Sequence, residues 1–527
     1  ERRIQVMRTE QPISTLDLTK PESDRLSRLM RNVSVGSLED IRSPFLQSLH
    51  SYAVLDMFTE QVFKPKRKSL SVTLQEIEAK QMDKYGPRSI AKPWKERKPS
   101  LLAHFDDGKS VSIDDDAKTT LSSVFPGERR LYPAAWIEVL GGMRRSTNSG
   151  LPELVRKGIV IDRMMSDLAV RTDANQFVYV LLDVFLDGKL PAVLFTRTQE
   201  QGKTRDVWGY PFIVLLMEGR FFLPVFQIVK DNVYLSALRG PDAVDEAITA
   251  LIQSNRARKR FLLSEDFENY DATVQIQLQT VAFHVLFDYF QISHVEDFEL
   301  VAEIFNTIGI VTPDGILQGP HGIPSGSWFT NLVGSIVHLF AHCHLFQHFD
   351  ETPNRYTSQV MGDDGVVSIP KNINRDTVED LYRELGLKFN ADKTFVSDAE
   401  VIYLQRYYSP DYEHEGLLRG IYPVYRALNR LIHMERWDYD APNIGKDYFS
   451  IRSISILENC KWHPLFEDLV KWVWRNDKYS LEYSQASLRR YLATLERKRG
   501  TTIRNQYSDY IEGINSFETV KILKRLQ

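Results

Sequence analysis

Five residues, Met361-Gly362-Asp363-Asp364-Gly365, stand between two short apolar runs, Tyr356 to Val360 and Val366 to Ile369, with Pro370 just beyond. β-Favouring runs joined by a tight Gly/Asp turn predict a hairpin whose second strand ends at the proline, which has no N–H to give a sheet. Neighbouring carboxylates in one turn repel each other, at a cost in stability, unless something cationic sits above them. Hard oxygen ligands of this kind suit Mg²⁺ or Mn²⁺. The bland alternative is a solvated turn, since Asp and Gly are ordinary turn residues.

More acid lies upstream, in Phe261-Leu262-Leu263-Ser264-Glu265-Asp266-Phe267-Glu268-Asn269-Tyr270-Asp271. An apolar strand is expected to end near Asp266. A helix is expected from about Asp271, with Val274, Val281, Val285 and Leu286 near helical spacing. Helix capping accounts for Asp271, but not for Asp266 in a strand that reads as central.

Cations precede these acids. After the strand-like Val193-Leu194-Phe195, the stretch Arg197 to Val207 places Arg197, Lys203 and Arg205 at even offsets, pointing one way in an extended chain. Three such cations would clamp a triphosphate, or would guard an edge strand against aggregation. Gly322 to Asn331, rich in small residues, leads into a helix and would free amides for an anion or a sugar hydroxyl; a Ser-capped turn is the structural alternative. Arg144-Arg145-Ser146-Thr147-Asn148-Ser149-Gly150-Leu151-Pro152 suits a loop that approaches phosphates, though many surface loops share its composition.

Positioning these groups takes a large fold. The 527 residues allow several domains or one multi-lobed enzyme, and 43% hydrophobic with 26% charged residues is ordinary for a globular chain. The net charge of −4 means that any nucleic acid must meet Lys and Arg concentrated in a groove or channel. Two cysteines, Cys343 and Cys460, argue against a disulfide framework or a cysteine metal site and fit a reducing compartment. Glu1-Arg2-Arg3-Ile4 shows no apolar signal core. The uncharged run Gly315 to Phe349 holds Asn331, Gln347 and five histidines (His321, His338, His342, His344, His348), too polar for a membrane span. It is expected to be a buried helix behind a loop, in a soluble intracellular protein. Residues 1–60 look like an extended arm, and Lys64-Pro65-Lys66-Arg67-Lys68 is expected to be a solvated face rather than a phosphate contact. Arg375 to Leu385 predicts an amphipathic helix ended by Gly386. Leu387 to Lys393 follows, then Tyr403 to Tyr407 in a strand-like setting. Residues 411–527 read as a helical lobe with aromatic and basic residues interleaved, as in Ser487-Leu488-Arg489-Arg490-Tyr491-Leu492.

Two-metal phosphoryl transfer needs these parts: carboxylates from two strands, cations for a triphosphate, and positioning. In this order the chain resembles viral RNA-dependent RNA polymerases. Arg144 to Pro152 is similar to motif G, Arg197 to Val207 to motif F, Asp266 to Asp271 to motif A, and Gly322 to Asn331 to motif B. Met361 to Gly365 is similar to motif C, Leu387 to Lys393 to motif D, and Tyr403 to Arg406 to motif E. Pro-Ser-Gly-Ser-x-x-Thr together with Gly-Asp-Asp most resembles the polymerases of small double-stranded RNA viruses, picobirnaviruses first and partitiviruses second.

The resemblance implies an α+β closed right hand. Its parts would be an arm linking fingers and thumb (1–60), fingers (61–255), a palm of antiparallel sheet and helices (256–275 and 319–410), a fingers insertion (276–318) and a helical thumb (411–527). It implies two Mg²⁺ or Mn²⁺ ions on Asp266 and Asp363, with Asp364 auxiliary and the Phe267 backbone nearby. Arg197, Lys203 and Arg205 would grip the triphosphate. Asp271 and Asn331 would read the ribose 2′-OH, supported by Ser325, Gly326 and Thr330. Lys393, with Lys388 as runner-up, would protonate departing pyrophosphate, and Thr147, Ser149, Gly150 and Arg406 would contact template RNA. Many relatives carry an Asn four residues after the motif B Thr, where Gly334 stands here, so Ser335 rivals Asn331. Implied partners are RNA template and product, nucleoside triphosphates and a capsid protein, with no membrane. The enzyme is expected to be a monomer in the virion interior or host cytoplasm that initiates without a primer. Rival readings are a reverse transcriptase, which usually has Tyr-x-Asp-Asp in place of Met361-Gly362-Asp363-Asp364, a silent RNA-binding particle subunit, and a carboxylate-metal nuclease.

Overall fold

A computed structural model describes the chain except residues 1–7, 106–110, 174, 177, 179–181, 184–189, 437–445, 487, 490–513 and 527. In chain order, the strands that matter here are β1 (Thr9–Gln11), β2 (Ala192–Thr198), β3 (Thr204–Gly209), β4 (Phe261–Glu265), β5 (Ile310–Thr312), β6 (Gly315–Gln318), β7 (Ser358–Met361), β8 (Asp364–Ile369), β9 (Phe395–Ser397), β10 (Val401–Tyr403) and β11 (Arg406–Tyr408). The helices are α1 (Phe212–Val229), α2 (Ile276–Phe287), α3 (Thr330–Gln347), α4 (Arg375–Glu384) and α5 (Val424–Ile432). Helix and antiparallel sheet combine in the expected closed right hand.

The palm is a four-stranded antiparallel sheet in the order β7-β8-β4-β9. Central β4 is flanked by β8 and β9, and Leu262, Leu263, Ser264 and Glu265 are all buried, which is why this segment reads apolar without alternation. The hairpin forms as predicted: Met361 pairs with Asp364 and Gly362 takes φ +62°, the backbone a two-residue turn demands at its first central position. Its first strand starts at Ser358 rather than Tyr356, because the Asn354 side chain accepts the Tyr356 amide at 2.9 Å and holds a local turn. α3 is buried from Leu332 through Phe346, and α4 ends before Gly386 at φ +79°. The helix expected from Asp271 is split. A single turn, Tyr270–Thr273, stops at Val274 and α2 begins two residues later. The side chains of Thr273 and Gln275 bond the carbonyls of Tyr270 and Ala272, competing with continued helix.

The fingers carry a five-stranded sheet, β1-β6-β5-β2-β3. The expectation of one extended strand from Arg197 to Arg205 is corrected. Gln201 and Gly202 take φ +57° and +65°, the chain reverses, and Arg197 lies opposite Arg205 across the β2–β3 hairpin. Buried Arg97 ties both strands, bonding Thr196 Oγ1 and Asp206. α1 is long and apolar enough to cross a membrane by length and composition, but 67% of it is buried inside the fold and Glu218 lies in its middle.

The thumb shares its core with the N-terminal region. Phe58 and Phe63 both pack on Tyr425 of α5, and Leu70, Leu74 and Tyr85 belong to the same cluster. Residues on both sides of position 60 therefore share one core with the thumb, which the polar composition of this stretch conceals. β1 pairs with β6 in the fingers, while Ile41 and Ser43 bond the backbones of Met434 and Ile432 at 2.8 and 2.9 Å. Buried Arg88 pairs with Glu200 at the fingers turn and with Glu435 beside the thumb. In the basic cluster Lys64 and Lys66 meet Glu60 and Asp468 on the surface. Of the segment 487–492, Ser487, Arg490, Tyr491 and Leu492 lie outside the described residues, as does Glu1-Arg2-Arg3-Ile4.

Glu78 joins the N-terminal region to the thumb. Fully buried, it accepts the first amides of α5, Val424 N at 2.7 Å and Tyr425 N at 3.2 Å, and His463 Nε2 at 2.8 Å. Glu78→Ala leaves these donors unpaired and is expected to cost about 3 kcal/mol, seen as a thermal midpoint several degrees lower. A midpoint within a degree of the parent contradicts this.

Candidate active site

The β4–β8 register pairs Glu265 with Gly365, so Asp266 emerges one residue further, beside Asp364 at the head of β8. Asp363 is exposed on the turn, and Asp266 and Asp364 are half-buried. Burial, then the charge of Asp363, pushes the Asp364 carboxyl up to about 7 against a 3.0 Å hydrogen bond from the Leu404 amide. Burial and Asp363 likewise raise Asp266, with Lys393 opposing. Asp271, on the cleft rim, is raised to about 6 by desolvation and Asp363, with Arg205 opposing. Desolvation and Arg205 lower Lys203, while Asp363 and Asp266 draw it up. These mutual influences place Asp266, Asp271, Asp363, Asp364, Lys203, Arg205 and Lys393 within electrostatic reach of one another. Carboxylates held together at this proton affinity are a donor set that a hard divalent cation relieves, so the residues fit Mg²⁺ or Mn²⁺.

Beneath the carboxylates lies a network that sequence reasoning missed. Fully buried Glu265 accepts the Tyr382 hydroxyl at 2.6 Å on one oxygen, and on the other faces His338 Nε2 at 2.7 Å and His342 Nε2 at 2.8 Å. Burial opposes charge on His338, yet the Glu265 carboxylate outweighs it and raises this imidazole; His342, also buried, is lowered. His338 Nδ1 bonds the Gly362 carbonyl at 2.9 Å, and Ser335 Oγ accepts the Gly362 amide at 2.8 Å. The available signal was two histidines four apart on an otherwise apolar helix, next to an acid adjoining Asp266. Glu218 was missed too: buried in α1, it accepts Ser327 Oγ at 2.7 Å and the Trp328 amide at 3.0 Å, fixing the loop before α3.

The other sequence-predicted residues divide into those that face the cleft and those engaged elsewhere. Asn331 is exposed, with its amide nitrogen near the Gly362 backbone, whereas its rival Ser335 is occupied by that turn. Ser325 Oγ donates to the Asp206 carbonyl and accepts the Trp208 amide, both at 3.1 Å, and Thr330 Oγ1 donates to the Pro324 carbonyl at 2.6 Å. These hydroxyls build the loop. A Cβ on Gly326 would lie 1.5 Å from the Trp208 carbonyl, so only glycine lets loop and β3 touch. Arg197 meets Glu435 at 3.7 Å. Lys393 and Lys388 are both exposed, and Lys393 is the one whose charge reaches Asp266. The Phe267 ring packs against His338 and Tyr382.

The residues expected to meet template RNA make close contacts within the protein. Ser149 is 1% exposed and accepts the Val155 amide. Gly150, at φ +68°, presses on the Tyr210 carbonyl, 2.2 Å from where a Cβ would stand. Thr147 Oγ1 is buried. Arg406 bonds the Asn459 carbonyl and side chain at 3.0 and 3.2 Å and faces the Tyr422 ring, anchoring β11 to the thumb.

A palm hairpin bearing paired acids, faced by cations from enclosing fingers, defines a nucleic-acid polymerase of the right-hand class. Residues 183–472 match the family described as viral RNA-dependent RNA polymerase, and the chain belongs to that family; it is an RNA-directed RNA polymerase. It is 30% identical over 477 residues, 85% of this chain and 84% of the other, to a potential RNA-dependent RNA polymerase of human picobirnavirus. An RNA-directed RNA polymerase of Cryptosporidium parvum virus 1 is 26% identical over 232 residues, 41% of this chain and 43% of that one. The crystal structure of a human picobirnavirus RNA-dependent RNA polymerase superposes with a TM-score of 0.81 at 26% identity, covering 98% of this chain and 100% of that one.

The raised Asp364 carboxyl makes a linked prediction. It holds its proton more tightly folded than unfolded, so its contribution to stability is complete below about pH 4 and is lost as pH rises through about 7. Metal-free protein should lose thermal stability across this window more steeply than Asp364→Asn, and Mg²⁺ should restore it most above pH 7. Parallel melting curves for the two proteins contradict this.

Proposed function

We propose that the chain replicates and transcribes the genome of a double-stranded RNA virus, transferring nucleotides from nucleoside triphosphates to an RNA 3′-OH with two divalent cations. The observation that carries this reading is the convergence of Asp266, Asp363 and Asp364 with Lys203 and Arg205 on one cleft. Asp266 and Asp363 would hold Mg²⁺ or Mn²⁺, with Asp364 auxiliary and the Phe267 backbone adjacent. Bound ions would supply charge neutralisation for the attacking and leaving oxygens. Lys203 and Arg205 grip the triphosphate, with Arg197 joining them from its pairing with Glu435. Lys393, whose charge reaches Asp266, delivers a proton to departing pyrophosphate. Asp271 and Asn331 read the ribose 2′-OH, Asn331 rather than Ser335 because the Ser335 hydroxyl holds the Gly362 amide.

The same reading assigns fingers, palm (256–275 and 319–410) and thumb (411–527), with a monomeric enzyme acting in the virion interior or host cytoplasm beside capsid protein. It includes initiation without a primer, which a product seen only with an added oligonucleotide would contradict.

The deciding assay is nucleotide incorporation on single-stranded RNA with Mg²⁺ or Mn²⁺. Asp363→Asn should lose at least about a hundredfold, on the order of 3 kcal/mol of barrier; activity that survives removes the turn from the mechanism. Asn331→Ala should narrow the preference for ribo- over deoxynucleotides by about tenfold, through loss of one hydrogen-bonding contact. Unchanged discrimination moves that role to Asp271 alone.

A further inference from the structure

We propose that His338 is a positioning residue that locks the two carboxylate-bearing strands to each other, and that Gly365 is a glycine to let it do so. The inference rests on the two-cation reading above and assigns a role to a side chain outside the metal-ligand set.

The geometry leaves little freedom. Gly362 is held on both sides by residues three apart on α3: Ser335 Oγ accepts its amide and His338 Nδ1 meets its carbonyl. A carbonyl can only accept, so Nδ1 carries a proton. The other ring nitrogen faces Glu265 Oε2, which also faces His342 Nε2, while Oε1 accepts from Tyr382. Both oxygens of Glu265 are thus engaged, one by the Tyr382 hydroxyl and the other by the two imidazoles. His338 therefore bridges Gly362, next to Asp363, and Glu265, next to Asp266. His342 reaches Glu265 through Nε2 alone, since its Nδ1 has no hydrogen-bond partner among the described residues. This bridge crosses β8 at Gly365, where a Cβ would lie 2.3 Å from His338 Cε1 and 2.7 Å from Glu265 Oε2. The last glycine of the Gly-Asp-Asp-Gly stretch thus clears the path of the ring. One ring sets the register of both metal-bearing segments, as outer partners orient ligands in metal sites generally.

The charge itself is separable from the clamp. In Glu265→Gln the new amide nitrogen can donate to both imidazoles while its oxygen accepts from Tyr382, so a neutral network keeps every connection. His338→Phe keeps an aromatic ring, slightly larger, with no nitrogen.

The test is Mn²⁺ binding to RNA-free protein, read by electron paramagnetic resonance of the free ion, with melting curves to verify folding. H338F should weaken Mn²⁺ binding by about tenfold or more, the usual loss when an outer partner is removed. E265Q should remain within about threefold of the parent, and G365A should shift in the direction of H338F. The Mg²⁺ concentration for half-maximal incorporation should follow the same order. Should H338F fail to fold, H338Q, which serves one acceptor at a time, must shift the same way. Folded H338F that binds Mn²⁺ like the parent overturns the proposal, as does E265Q falling as far as H338F, which would make charge rather than connection the cause. Stoichiometric zinc in the purified protein, lost in H338F, would also overturn it by making the cluster a metal site. D363N separates the two readings: if it binds Mn²⁺ like the parent, the two-cation reading fails and not the clamp.

Discussion

Repulsion between like charges is the constraint on which this molecule turns. The charge of Asp363 raises the proton affinity of both Asp266 and Asp364. Everything around them resists the outward push. β8 lies between β7 and β4, the Leu404 amide holds Asp364, and α3 grips the turn backbone. A site that must hold charge for chemistry is thus paid for with rigidity elsewhere.

That rigidity has a layered construction. Cations on the fingers hairpin face the acids from one side while buried polar networks fix them from behind. Glu218 and Glu265 play parallel parts, each a buried acid engaged by residues at or near α3. One holds the loop that leads into the helix; the other holds the helix to the carboxylate strands. α3 is consequently less a core helix than a keel, which explains why a fully buried element carries Ser335, His338 and His342.

The legibility of the sequence followed the range of the physics. The Asp363 turn, its Gly362 backbone, the stop at Pro370 and the Gly386 helix end are local, and each was readable from adjacent residues. So was the ordering of the acidic and cationic stretches, which identified the polymerase. What escaped depends on distant contacts. Gly150 and Gly326 look like residues of a ligand-binding loop, but their small size serves close packing against Tyr210 and Trp208. Arg406 looks like a phosphate contact, but Asn459 and Tyr422 engage it from across the thumb. Glu265 was hidden in plain view beside Asp266, since nothing in its neighbourhood along the chain announces the histidines that surround it. The shared core of residues 45–85 with the thumb was unreadable because its two halves stand more than 300 positions apart.

Arg88 has a topological meaning. By joining the fingers turn at Glu200 to Glu435, while residues 41–43 stitch to 432–434, it closes the hand into a ring of protein. A strand cannot be laid sideways into a closed ring; it must be threaded from a free end. Parting the fingers from the thumb here would strip a buried guanidinium of both its carboxylates, so the two lobes resist moving apart.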